Sequence, residues 1–177
     1  MSISKLKITY TWDKATYLQG SKSLYEDMLR HSPKRFVGWF FIALSQFGLV
    51  AYFKKGAFGL LLISTIFLIY WYILRWPLRK LFILHAFKKS SLKNKEIIIE
   101  LDDKKITVND ILIPWSDVQR VLLEDKGFLL YYRDNYIFIP KSAFDEENEK
   151  SFLNFIKSNL KTNIVDDRYL TKNNPKK

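Results

Sequence analysis

The sequence predicts a membrane α-hairpin of two transmembrane helices joined to an α+β domain, in which a curved antiparallel sheet carries a C-terminal helix. Three observations predict it. Residues 36–53 and 57–74 are uncharged stretches of 18 residues each, separated only by Lys54, Lys55 and Gly56. The charge is lopsided: residues 1–95 hold 16 Lys/Arg against 3 Asp/Glu, a net of +13, while residues 96–177 hold 13 against 15, a net of −2. From Glu96 onward, helical periodicity gives way to short β-rich runs between turn residues.

The two apolar stretches come first because they set the topology. As a helix, each spans about 27 Å, close to the roughly 30 Å of a bilayer's hydrocarbon core. They hold ten and eleven Phe, Val, Ile or Leu residues, respectively. Together these contribute on the order of −3 to −7 kcal/mol per span toward insertion. The first span is placed at 36–53 and the second at 57–75, within a hairpin covering 36–76. A three-residue link forces the spans antiparallel, and Gly56 suits the left-handed turn between them. Equal depth in the hairpin predicts that Gln46 hydrogen-bonds to Ser64 or Thr65.

Orientation follows from the flanking cations. Arg30, Lys34, Arg35, Arg75, Arg79, Lys80, Lys88 and Lys89 lie on one side, and only Lys54 and Lys55 on the other. The heavily basic side is expected in the cytoplasm, with both termini. Lys34, Arg35, Arg75, Arg79, Lys80, Lys88 and Lys89 are the residues expected to meet anionic headgroups of the inner leaflet. Trp71, Tyr72 and Trp76 suit that interface. Residues 77–94 form a basic juxtamembrane segment. Within it, Leu78 to Phe87 reads equally as a helix lying in the headgroups or as a kinked continuation of the second span beyond Pro77. A nucleic-acid binder would carry its positive charge on the folded domain, so no nucleic-acid partner is expected. The first 35 residues are polar and lack the layout of a cleavable signal. With no cysteine, neither disulfides nor thiolate chemistry arise.

Residues 1–35 read as a cytoplasmic arm. Ile3 to Trp12 alternates in part, with Leu6, Ile8, Tyr10 and Trp12 on one face and polar residues on the other, the mark of a half-buried strand. A lone strand is unstable, so it is expected to pair with the C-terminal sheet. Asp13 caps an amphipathic helix from Lys14 to His31, with Tyr17, Leu18, Leu24, Tyr25, Met28 and Leu29 as its apolar face and Gly20 as a weak point. Residues 95–161 form the C-terminal domain. Strands are predicted at Ile97–Leu101, Lys105–Val108, Ile111–Trp115, Val118–Glu124, Phe128–Tyr132 and Tyr136–Ile139, as one antiparallel meander. A helix follows from Asp145 to Leu160, with Asp145 as N-cap and Glu146, Glu147 and Glu149 at the positive end of its dipole. Residues 162–177 read as a flexible tail, disordered from Asn173. Five to seven strands closed by one amphipathic helix resemble the pleckstrin-homology-like (PH-like) architecture.

The run Ile113-Pro114-Trp115-Ser116-Asp117-Val118, then Phe128 to Tyr132, then Ile139-Pro140-Lys141-Ser142-Ala143-Phe144 before an acidic helix start, resembles the YcxB-like family of bacterial membrane proteins. Ile8-Thr9-Tyr10-Thr11 and the basic Pro33-Lys34-Arg35 ahead of the hairpin fit the same family. The resemblance implies fold, cell-membrane location and topology, and says very little about function. It also implies that Trp115 lies in the core under the C-terminal helix, near Phe152 and Ile156.

No phosphate loop, paired metal ligands or nucleophile elbow is present, so no catalytic residue, cofactor or metal is expected. Ser116-Asp117 reads as a turn, Asp102-Asp103 as a hairpin turn, His85 as an interfacial residue and Lys141 as a solvated one. The leading expectation is a non-catalytic protein whose tethered domain binds a protein partner or lipid headgroups, since tethering raises effective concentration. The alternatives are an immunity-type protein against a membrane-active toxin or peptide, and a small subunit of a transporter complex. Oligomeric state is not readable from the sequence.

Overall fold

A computed structural model describes residues 5–160 and 164–168. The chain divides into two compact units, Met1–Ser23 with Ser90–Lys177, and Leu24–Lys89. The division falls inside the first helix rather than at residue 35.

In the first unit, β1 (Leu6–Thr11) pairs antiparallel with β2 (Glu96–Leu101), as the alternation requires. Leu6, Ile8 and Tyr10 stand opposite Leu101, Ile99 and Ile97, and all six are buried. β3 (Lys105–Val108) and β4 (Ile111–Pro114) extend this sheet in the order β1-β2-β3-β4. Asn109 makes the β3–β4 turn with a left-handed φ of 51°. Its amide donates to the Ile98 carbonyl, and its side-chain oxygen accepts from the Ile98 amide at 2.9 Å. An asparagine tolerates this conformation because its short side chain bonds the local backbone.

The expected single meander is instead two sheets. β5 (Val118–Glu124), β6 (Gly127–Tyr132) and β7 (Asn135–Pro140) form a second one in the order β7-β6-β5-β8. Trp115–Asp117 breaks the chain between the sheets as a 3₁₀ turn, so β4 ends at Pro114 rather than at Trp115. β8 is Ile164–Asp166, paired parallel to β5. This corrects the loose tail: Val165 and Ile164 are apolar enough to cover the open edge of β5, which the local polarity of the segment hides. The disorder expected from Asn173 lies outside the described residues.

Both faces of the second sheet are covered. Val121, Leu123, Phe128, Leu130 and Ile139 join the main core with Trp115, Phe152 and Ile156. Leu122, Leu129 and Phe138 form a second cluster on the opposite face. Uninterrupted apolar runs such as Val121-Leu122-Leu123 are what two covered faces demand. Tyr10 ties the layers together: its hydroxyl donates to the Phe138 carbonyl at 2.8 Å, and burial raises its pKa. α5 (Glu146–Asn159) closes the main core, capped by Asp145, whose carboxylate accepts from the Asn148 amide at 2.6 Å.

α1 (Lys14–Arg30) spans the boundary between the units. Its buried residues are Thr16, Gly20, Ser23 and Asp27, not the apolar face read from Tyr17, Leu18, Leu24, Tyr25, Met28 and Leu29. Met28 is exposed. A Cβ on Gly20 would come within 2.8 Å of the Phe138 side chain. Close approach therefore selects small residues there, and Gly20 is a seat rather than a weak point. Asp13 caps α1 by accepting from the Thr16 amide at 2.7 Å. That bond holds the Asp13 carboxyl below the usual carboxylate range. Because the folded state depresses this pKa, the cap's contribution is present above the ordinary value of about 4 and is lost as pH falls through the depressed one. Asp13→Asn keeps an oxygen acceptor but no charge. It is expected to flatten the acid limb of a denaturation-against-pH profile of the full chain while leaving stability at neutral pH within about 1 kcal/mol.

In the second unit, a 3₁₀ turn (Pro33–Phe36) leads into α2 (Val37–Lys55), and α3 (Phe58–Ile69) returns antiparallel. Gly56 adopts a left-handed φ of 65° and donates to the Ala51 and Tyr52 carbonyls, as the turn requires. A π-helical turn (Tyr70–Leu74) then passes directly into α4 (Arg75–Lys89). Pro77 cannot donate to the carbonyl four residues back, and the widened turn just before it absorbs the defect. Leu78 to Phe87 thus continues the second apolar helix, which is unbroken over Phe58–Lys89 for 32 residues.

The expected bond from Gln46 is not formed. Ser64 and Thr65 both donate to the Leu61 carbonyl of their own helix, at 2.9 and 2.8 Å. Gln46 is exposed, and Gly48 is the residue buried against Ser64. Depth was matched, but helix rotation turns Gln46 outward, and two residues on, Gly48 lets the backbones close. A Cβ on Gly48 would come 2.8 Å from Ser64 Oγ and 3.0 Å from Leu61 Cα. Gly48→Leu is therefore expected to cost the hairpin about 1–3 kcal/mol, read as a lower melting temperature of helical ellipticity in detergent.

Candidate anion-binding site

The predicted basic residues do not behave as one set. Four of them, Lys34, Arg35, Arg75 and Arg79, converge around two adjoining cavities of the second unit. Lys80, Lys88 and Lys89 are exposed on α4 and line neither. The larger cavity has a volume of 390 Å³ and is lined by Leu29, Arg30, Arg35, Trp71 and Arg75. The smaller, of 120 Å³, is lined by Tyr25, Met28, Leu29, Ser32, Lys34, Arg75 and Arg79. Arg75 belongs to both.

Aromatic rings hold the guanidinium groups in place. Arg75 Cζ lies 3.9 Å from the Trp71 ring centroid and 5.0 Å from that of Tyr25. Arg79 Cζ lies 4.1 Å from Tyr25, and Arg35 Cζ 4.6 Å from Phe36. Trp76 stacks on Tyr25, the ring centroids 6.0 Å apart. Trp71 is itself set edge-on against Phe41, at 5.7 Å, and Phe41 stacks on Phe67 at 5.4 Å. Gly38 leaves room for this arrangement: a Cβ there would meet Tyr72 Oη at 2.7 Å and Trp71 Nε1 at 2.8 Å. The ladder Phe67, Trp71, Arg75, Arg79 runs at a spacing of four along one side of the second apolar helix.

Each cation–π contact contributes about 0.5–2 kcal/mol, depending on how far it is desolvated. These contacts position the cations without neutralising them. No Asp or Glu among the described residues lines either cavity. Among the described residues, Lys34, Arg35, Arg75 and Arg79 have no carboxylate partner. Asp27, buried on α1, has its carboxylate 3.2 Å from His31 Nδ1. The Tyr25 hydroxyl is buried without a hydrogen-bond partner among the described residues. The arrangement can hold an anion with several oxygen acceptors, for which the planar fork of arginine is suited.

Sequence reasoning counted Arg30 only toward orientation and placed Tyr25 on an apolar face. The signal that could have found the site is the spacing Trp71, Arg75, Arg79, which stacks an aromatic ring and two cations on one side of a helix.

The remaining singled-out residues line neither cavity. Trp115 is buried in the same cluster as Phe152 and Ile156, and its indole donates to the Asp102 carbonyl at 2.8 Å. Asp117 forms a two-pronged pair with Arg133, at 2.6 and 2.9 Å. Lys141 pairs with Glu149 at 3.6 Å. His85 is exposed on α4.

The segment from the end of β2 to Ile156 of α5, holding the tryptophan turn, the Ile139-Pro140-Lys141 corner and the capped helix, decides the relationship. Residues 101–156 match the family model of YcxB-like proteins. The YcxB-like match covers about a third of the chain and none of the apolar hairpin. No curated protein and no solved structure matches the chain. The cavities of the second unit therefore lie outside the YcxB-like segment and are read from their own geometry.

Proposed function

We propose that the protein is a two-span, non-catalytic protein of the bacterial cell membrane, whose hairpin tethers a PH-like YcxB-like domain at the cytoplasmic face for binding a protein partner or lipid headgroups. The observation that carries the reading is the combination of exposed apolar surface on the hairpin with cations at one end of it. Only 11% of the most apolar window of Pro33–Lys55 and 6% of that of Phe58–Lys89 is buried within the protein. Phe47, Phe53, Ile63 and Ile66 all face outward. A continuous apolar surface of this kind is stable in lipid and costly in water. Eight Lys/Arg flank the open end of the hairpin and two flank its turn, which favours cytoplasmic termini.

The PH-like reading is supported by strand order. Four antiparallel strands, then three, then a helix closing the core follow one another in β1 to β4, β5 to β7 and α5. The apolar hairpin is inserted between β1 and β2. The second apolar helix, at 32 residues, is roughly 48 Å long, so its basic end projects beyond the hydrocarbon and keeps Arg79, Lys80, Lys88 and Lys89 in headgroups or water.

The test is extraction and topology on the full chain. Resistance to alkaline carbonate, with a C-terminal reporter active only in the cytosol and a tag at the Lys55–Gly56 turn accessible from outside, supports the reading. Release by carbonate, or an accessible C-terminus, overturns it.

A further inference from the structure

Resting on this membrane reading, we infer that the cavity bounded by Arg30, Arg35, Trp71 and Arg75 is a binding pocket for the phosphodiester headgroup of one anionic phospholipid. A general attraction between scattered lysines and an anionic surface would need no cavity and no fixed side chains. This site has both. Its volume of 390 Å³ is that of a small ligand pocket. The Arg75 guanidinium lies 3.9 Å from the Trp71 ring and is shared with the neighbouring cavity, where Arg79, Lys34 and the Tyr25 hydroxyl, without a hydrogen-bond partner among the described residues, stand.

The chemistry selects a phosphate group. Like charges brought to one cavity repel one another, and among the described residues neither Arg35 nor Arg75 has a carboxylate partner to relieve it. A phosphodiester carries one negative charge over two free oxygens, which match the parallel N–H groups of arginine. A zwitterionic headgroup brings its own cation into a site already holding Arg30, Arg35 and Arg75, and is disfavoured. The pocket lies where α1 and the turn into α2 meet the interfacial Trp71 and Arg75, at the basic end of the hairpin. There a lipid phosphate is the nearest anion, its acyl chains running along the exposed apolar faces. The indole of Trp71 separates the arginines from the apolar ladder of Phe41 and Phe67 below.

The test uses the full-length protein in nanodiscs of equal phosphatidylglycerol and phosphatidylcholine. Lipid retained after gentle release is counted by native mass spectrometry. The wild type is expected to retain one phosphatidylglycerol in preference to phosphatidylcholine. The double substitution Arg35→Gln, Arg75→Gln is expected to lower that retention about tenfold, the loss of charged hydrogen bonds. Arg75→Lys keeps the charge but removes the fork and the broad stacked face. It is expected to weaken retention as well, and guards against a double variant that fails to fold. Lys88→Gln with Lys89→Gln removes two cations from the same side of the hairpin but outside the cavity, and is expected to change nothing.

Equal retention of the two lipids by the wild type overturns the pocket. So does a loss in the Lys88, Lys89 variant as large as in the Arg35, Arg75 one, since diffuse charge then accounts for binding. Glycerol 3-phosphate displacing the lipid at equal concentration makes the site one for a soluble phosphate ester and overturns the lipid assignment. Carbonate extraction of the same membranes is a separate readout. Released protein overturns the membrane reading beneath the inference, whereas inserted protein without lipid preference overturns the pocket alone.

Discussion

Phe152→Ala is expected to destabilise the sheet-bearing unit by about 3–5 kcal/mol, the cost of removing a fully buried aromatic side chain and leaving a cavity behind. Phe152 has no exposed surface and lies at the centre of the main core. Its ring centroid is 4.9 Å from that of Phe128 on β6 and 5.0 Å from that of Phe144 after β7. Phe128 and Phe144 are themselves 5.1 Å apart, so the three rings close a triangle joining α5 to the second sheet. Such pairs add about 0.5–1.5 kcal/mol beyond the area they bury. A domain holds only about 5–15 kcal/mol in all, so this loss approaches the whole. Urea denaturation of the full chain in mild detergent checks it. A midpoint unchanged from wild type would mean that α5 does not close the core.

Gly127→Ala is expected to cost about 3 kcal/mol, from steric overlap with no room to relax. Gly127 opens β6 opposite Pro140, with φ at 156°. A Cβ there would overlap the Ile139 carbonyl oxygen and lie 3.0 Å from Pro140 Cα. Those atoms are backbone, and a strand cannot swing aside as a side-chain tip can. The Lys141 amide bonds to the Lys126 carbonyl at 2.9 Å just beyond, which pins the corner. Limited proteolysis is the sharper readout here, because prying β7 from β6 exposes Leu129 and Leu130. Wild-type protection in the variant would show that the strands slide past one another freely.

The strands and the last helix were legible because their signals are local. β3 and β5 coincide with their predicted limits, and β2, β4, β6 and β7 shift by one residue at one or both ends. Alternation from Leu6 to Tyr10 announced one buried face, and Asp145 followed by three glutamates announced a helix start. What failed depends on partners distant in sequence. The stripe Thr16, Gly20, Ser23 looks polar on a helical wheel yet is buried, and Phe138, distant in sequence, comes close to Gly20. β8 is three residues long and is stabilised by the open edge of β5. Depth in the hairpin can be counted from a turn, but rotation cannot, so Gln46 was set against Ser64 where Gly48 stands.

The candidate site divides in the same way. Lys34, Arg35, Arg75 and Arg79 could be selected by their position beside apolar spans, yet so could Lys80, Lys88 and Lys89, which line neither of the two cavities. By itself, the sequence determined two apolar helices joined at Gly56, the sign of charge at each end of them, and the succession of strands closed by α5. Only the tertiary structure decided which cations surround a common space, which faces of β5 and β6 are covered, and where backbones touch. The physical reason is that hydropathy, capping and turn chemistry act over a few residues. Convergence of side chains depends on rotations that are settled only when distant elements meet.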